Sequence, residues 1–175
     1  MQYTVGGGYD ASPANQLMHN FKMKMEYKGL PRFKYKGIAL NEVASMYNQQ
    51  LPNIIDFVNT TLVPVPPSLC KADPNYDDRL IRLLELINAP NKDVRELLYL
   101  DQNIPTAHLH NNRNVNDIMQ HLIVNHQLIN NVRNTICLFD DTVVTGSHFA
   151  ACRNELANAI PGKTMMGVFI ARAIH

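Results

Sequence analysis

Between Ile136 and His148 the chain reads ICLFDDTVVTGSH, and few folds accommodate that order of residues. Ile136, Cys137, Leu138 and Phe139 are apolar in succession, the pattern of a parallel strand buried on both faces. Asp140 and Asp141 follow at its carboxyl end. Thr142, Val143, Val144, Thr145, Gly146 and Ser147 are short or flexible enough for a tight loop, and Ser147 is the expected N-cap of a helix over HFAACRNELANAI. Strand, acid pair, small-residue loop and helix form one unit.

That unit has a chemical use. Backbone N–H groups of a loop entering a helix N-terminus, aided by the helix dipole, suit a phosphate. Two carboxylates beside them repel a second phosphate but accept hydrogen bonds from hydroxyls. A sugar phosphate matches both halves, with the phosphate on residues 142–147 and ribose on Asp140 and Asp141.

The flanking sequence extends the pattern. Ser12 and Pro13 suit the start of a helix from about Ala14 to Tyr27, with Leu17, Phe21 and Met25 on one face. A second helix is expected over Gly37–Gln50, burying Ile38, Val43, Met46 and Tyr47 or their neighbours, and closed by Pro52. TLVPVPPS (61–68) begins as a strand and breaks into prolines, so Pro64 marks either an edge strand or a strand end. YDDRLIRLLELINA (76–89) predicts an amphipathic helix with Leu80, Leu83, Leu84 and Ile87 in a stripe and Asp77 and Asp78 in its first turn. Arg79 is placed to reach a phosphate from the same edge. The polar run 101–117 reads as a lid or binding loop. A further helix is expected over Asn116–Asn130, and MMGVFIARAI from Met165 predicts a final buried strand. Alternating strands and helices of this kind imply an open, mostly parallel sheet flanked by helices, with the loops after Val65, Leu100 and Phe139 sharing one edge.

ICLFDDTVVTGSH resembles the phosphoribosyl pyrophosphate (PRPP) motif of type I phosphoribosyltransferases, and VPVPPS resembles the pyrophosphate loop of their ComF-like subgroup. Arg113 and Asn116 resemble the Arg-x-x-Asn end of that subgroup's catalytic loop, and GVFIARAIH its final strand. The cysteine-rich zinc-binding N-terminus common in the subgroup is missing, and YDDR stands where Gly-Phe-Asn-Gln is usual. The resemblance implies a single domain, with an N-terminal helical hood over 1–58 and a PRPP-binding core over 59–175. It implies transfer of a phosphoribosyl group to a nitrogen acceptor of nucleobase type, with pyrophosphate leaving. Asp140, Asp141 and Arg113 are then the catalytic candidates, and Pro66, Pro67, Ser68, Lys71 and Arg79 the pyrophosphate contacts. Mg2+ is expected to be held through the substrate, with Asp140 or Asp141 reached through water. A homodimer is the family expectation. Binding of PRPP or a nucleotide without transfer, in a regulatory or nucleic-acid-associated protein, is the alternative. A sugar-phosphate hydrolase using the same acids is a third, although nothing marks a water-activating base.

Other features carry less chemistry. Lys22, Lys24, Lys28, Arg32, Lys34 and Lys36 alternate with Tyr27, Phe33 and Tyr35, a pattern that suits either single-stranded nucleic acid or a solvated face whose aromatics pack inward. His108 and His110 form an HxH pair without a third ligand at a recognisable spacing. Gly6, Gly7 and Gly8 lack the strand and the GKT or GKS of a P-loop and read as a turn. The net charge of +1 gives no global pull toward nucleic acid or membrane. Three widely spaced cysteines, without a CxxC pair, point to a reducing compartment, and no segment has a signal-peptide or membrane-spanning pattern; a cytoplasmic protein is expected.

Overall fold

The structure, a computed structural model, describes residues 1–104 and 119–174. It is α/β. Five parallel strands form the main sheet: β1 (Gln2–Thr4), β2 (Thr60–Pro64), β3 (Asp93–Val94), β6 (Thr135–Val143) and β7 (Thr164–Ile174), in the spatial order β1-β7-β6-β2-β3. A separate antiparallel pair joins β4 (Leu98–Leu100) to β5 (Leu122–Val124). Among the described residues the α-helices that accompany them are α1 (Pro13–Phe21), α2 (Lys34–Gln50), α3 (Arg79–Glu85) and α4 (Ser147–Ala159). Among the described residues no helix is long and apolar enough to cross a membrane.

The central strand separates two apolar layers by simple alternation. Cys137 and Phe139 pack with Phe21, Val43, Tyr47 and Leu84 from α1, α2 and α3. Ile136 and Leu138 pack on the other side with Ala151, Cys152 and Leu156 of α4 and with the β4–β5 pair. Both faces are dry, which is why β6 reads as a continuous apolar run. α4 lies close to the sheet because Gly167 in β7 has no Cβ; one built there would stand 2.7 Å from the Phe149 ring.

Several elements depart from their sequence pattern. The helix expected to reach Tyr27 ends at Phe21, since the buried Lys36 ammonium takes hydrogen bonds to the carbonyls of Phe21 (3.0 Å) and Met23 (2.8 Å) and draws the chain off the helical path. Ser12 does cap α1, accepting the Asn15 N–H at 3.0 Å, with Pro13 in the first turn. α2 starts at Lys34 rather than Gly37; its buried stripe is Leu40, Val43, Ala44 and Tyr47, which leaves Ile38 exposed.

The helix expected over 76–89 shrinks to α3. At its start Asp77 turns inward to an ion pair, and at its end Lys92 Nζ donates to the carbonyls of Leu84, Glu85 and Ile87. Of the helix expected over 116–130, residues 116–118 lie outside the described residues; within the rest, Leu122–Val124 is a strand that pairs with β4, its burial alternating as a strand requires. The segment after Leu100 therefore leaves from the hairpin and not from the main sheet.

Candidate functional site

A parallel sheet binds ligands where its chain order reverses, because the connections on either side of that point leave for opposite faces. Here that point lies between β2 and β6. β2 continues through α3 to β3 on one side, whereas β6 on the other continues through α4 to β7. The register makes the crevice deeper. Pro64, the last residue of β2, stands opposite Phe139, while β6 runs on to Val143 beside β7. Val65 N–H gives a last bond to the Phe139 carbonyl at 2.8 Å, and Pro66 and Pro67 then have no N–H with which to continue the ladder. Pro64 is thus a strand end within the sheet.

A cavity of about 240 Å³ occupies the crevice. Pro66, Pro67, Ser68 and Lys71 line it from the segment after β2, Arg79 from α3, and Asp140, Asp141, Thr142 and Val144 from β6 and its loop. Leu100 and Ile104 close it from the hairpin side. The segments after β2 and β6 therefore meet at one edge of the sheet, and the segment after Leu100 reaches the same cavity from the hairpin, through Leu100 and Ile104, the part of it among the described residues. Glu96, Tyr76, Lys22 and His148 also line it; His148 ends the ICLFDDTVVTGSH motif and Lys22 opens the basic stretch, but neither these two nor Glu96 and Tyr76 were expected at the cavity.

The two acids do not act as a pair. Successive residues of a strand point to opposite faces, so Asp140 follows Ile136 and Leu138 toward α4, while Asp141 follows Cys137 and Phe139 toward α1 and α3. Asp141 is buried in an ion cluster. Lys22 Nζ donates to its Oδ1 at 2.9 Å, and the Arg79 guanidinium donates through Nε at 3.2 Å and through a second, shorter bond to Oδ2. Burial alone would raise its pKa, but the charges and hydrogen bonds of Arg79 and Lys22 outweigh that and hold the carboxyl well below the usual range.

Asp140 has the opposite electrostatics. Burial, then the charge of Asp141, push its pKa up to about 7, against the smaller effect of the Asp141 N–H that it accepts at 2.7 Å. A carboxyl poised near neutrality and lining a cavity gains by meeting a cation or hydroxyl donors.

Arg79 does reach the cavity edge, but its guanidinium is committed to Asp141 and, at 2.8 Å, to Asp77. Asp77 is not a simple helix-start residue: it also accepts from the buried Lys36 at 2.7 Å. Lys71 is paired with Glu96 at 2.5 Å, and the Ser68 carbonyl accepts the Ile104 N–H at 2.9 Å. The N-cap of α4 is Gly146 in the left-handed region, at φ 78°, and Ser147 is the first helical residue, its hydroxyl 2.9 Å from that of Thr145. Glycine is favoured there because a side chain at that φ is strained. Arg113, Asn116, His108 and His110 lie outside the described residues.

No group of three or more metal-ligating side chains occurs among the described residues. Of the carboxylates that line the cavity, Asp77 and Asp141 are held by Arg79 and a lysine each, Glu96 by Lys71 and Asp78 by Arg82, so Asp140 is the one best suited to a magnesium ion that keeps most of its contacts to substrate oxygens and water. No protein-family model matches this chain, and no curated protein matches it significantly.

Proposed function

We propose that the crevice binds PRPP and that the chain transfers its phosphoribosyl group to a nitrogen acceptor, releasing pyrophosphate. The observation that carries this reading is the convergence at the switch point of the PPS segment after β2, the overhanging end of β6 with Asp140, and the glycine-capped entry to α4. The loop 142–147 takes the 5′-phosphate on backbone N–H groups at the positive end of α4. Asp140 takes a ribose hydroxyl. Pro66, Pro67 and Ser68, with Lys71 once it exchanges Glu96 for a phosphate, form the pyrophosphate side. Mg2+ near Asp140 would neutralise charge on the leaving pyrophosphate.

Loss of pyrophosphate leaves positive charge on the ribose ring, so the protein's work is to favour departing negative charge and to exclude water. Catalytic participation of Arg113 belongs to this proposal through the resemblance alone.

One observation favours a second reading, binding without transfer. Asp141, the other half of the expected ribose clamp, is neutralised by Lys22 and Arg79. Calorimetric titration of PRPP, with and without magnesium, followed by a pyrophosphate-release screen over free bases, separates the two. Magnesium-dependent binding with release for one base supports transfer, and binding without release for any base supports a sensor. Absence of binding would reduce ICLFDDTVVTGSH to a strand-to-helix turn.

A further inference from the structure

We propose that a groove on the N-terminal helices, separate from the crevice, binds single-stranded nucleic acid. The groove, about 530 Å³, collects Tyr3 from β1, Tyr9 from the turn before α1, Tyr27 from the segment joining α1 to α2, and Tyr35 from the first turn of α2. Tyr27, Tyr35, Lys24 and Arg32 belong to the basic and aromatic stretch visible in sequence. Tyr3 and Tyr9 do not, and the fold brings them to the same place.

Tyr3 packs in part against the core, whereas two of the four rings stay open to solvent. Tyr9 is 46% exposed and Tyr35 45%. Tyr3 and Tyr9 converge on the His19 ring, with centroids at 6.3 and 6.1 Å. The Arg32 guanidinium lies 3.7 Å over the Tyr27 ring, which makes a flat cationic platform of the kind on which bases stack. The lining holds three cations, Lys22, Lys24 and Arg32, and no carboxylate. Lys22 is engaged by Asp141, but Lys24 is 73% exposed and, among the described residues, its ion pair is a loose one to Glu26 at 3.6 Å. Solvated pairs of that kind are worth little and exchange readily for a phosphate.

Several stacking faces interleaved with cations match a strand whose bases are unpaired and whose phosphates recur along it. A duplex hides its base faces, and an acidic peptide would leave the rings unused. With a net charge of only +1, the attraction is local to this groove. The inference does not depend on PRPP binding.

The test is fluorescence anisotropy of the full chain with a labelled oligothymidylate of about twelve nucleotides, long enough for one such site. Competitors are the same oligonucleotide as a duplex and thymidine monophosphate. The wild type is expected to bind the single strand, with affinity falling as salt rises by about 0.7 log unit per log unit of salt for each phosphate engaged. Tyr9→Ala combined with Tyr35→Ala should weaken binding by about tenfold or more. Lys24→Ala should lower the salt slope by about 0.7. Both tyrosines are half exposed, so melting of the double variant should match the wild type; if it does not, Lys24→Glu, at a site 73% exposed, supplies the same test through loss of binding. No binding at low salt, binding indifferent to these substitutions, or equal competition by duplex or by the mononucleotide would overturn the proposal.

Discussion

At the scale of single residues, Asp140 and Asp141 are adjacent in sequence and opposite in behaviour. The acid pair was legible, but the partners that divide it were not: Lys22 and Arg79 stand 119 and 62 positions away from Asp141. The raised pKa of Asp140, about 7, means that between about pH 4 and 7 the unfolded chain loses a proton that the folded chain keeps. Asp140 therefore makes the protein less stable as pH rises through that window. Asp141, held low, contributes stability above about pH 4 that is lost as pH falls toward its folded pKa. Asp140→Asn is expected to flatten the decline from pH 5 to 7 and to raise stability at pH 8 on the order of 2 kcal/mol, as urea unfolding across that range would read. An unchanged slope would mean that Asp140 ionises freely in the folded protein. If PRPP and magnesium engage Asp140 as carboxylate, binding at pH 7 should also release about half a proton, measured by titration in buffers of different ionisation enthalpy. Arg79→Ala is a different experiment, because it strips two buried carboxylates of their shared cation; a loss of about 3–5 kcal/mol in unfolding free energy is expected.

At the scale of elements, periodicity identified what packing enforces locally. β6 and β7 are apolar runs, and α2 carries its stripe, so all three were legible as elements, although β7, expected to be buried, is half-buried along most of its length because it lies near the edge of the sheet. The errors fall where a side chain outside an element ends it. Lys36 stops α1 by binding its last carbonyl, that of Phe21, and the Met23 carbonyl just beyond it, Lys92 closes α3, and the short LIV run of β5 becomes a strand only because β4 offers an edge. Lys36 and β4 are remote in sequence from what they act on, whereas Lys92 acts from just beyond the helix it closes. The cradle under α4 is similar. Gly167 sits in an apolar strand pattern with no sign of a close approach, yet the Phe149 and Phe169 rings, packed edge-on at 5.7 Å, fill the space where its side chain would be. Gly167→Ala should push α4 outward and cost about 1–3 kcal/mol, since rings wedged between helix and sheet have little room to yield. Melting would show it. Gly146→Ala meets open space and should cost only the left-handed backbone penalty, about 1 kcal/mol.

At the scale of the whole molecule, one buried ion network joins the N-terminal helices to the sheet edge that carries the crevice. It runs Lys36–Asp77–Arg79–Asp141–Lys22, so α2, α3, β6 and the end of α1 each contribute. The network holds three cations and two carboxylates, an excess of one positive charge. Burial lowers the Lys36 pKa against the pull of Asp77, the mark of a cation that the site tolerates at a cost. Removing either lysine therefore leaves a balanced set of two and two. Removing both leaves Arg79 alone between two buried carboxylates, and the second loss is the expensive one. Lys22→Met, at a side chain 41% exposed, should cost about 1 kcal/mol or less. Lys36→Met should cost more, because it also abandons the Phe21 and Met23 carbonyls. The double variant is expected to exceed the sum by at least about 1 kcal/mol, read as midpoints of urea unfolding at constant m. Additivity within about 0.5 kcal/mol would show two independent ion pairs, and the N-terminal helices would then be joined to the crevice by apolar packing alone.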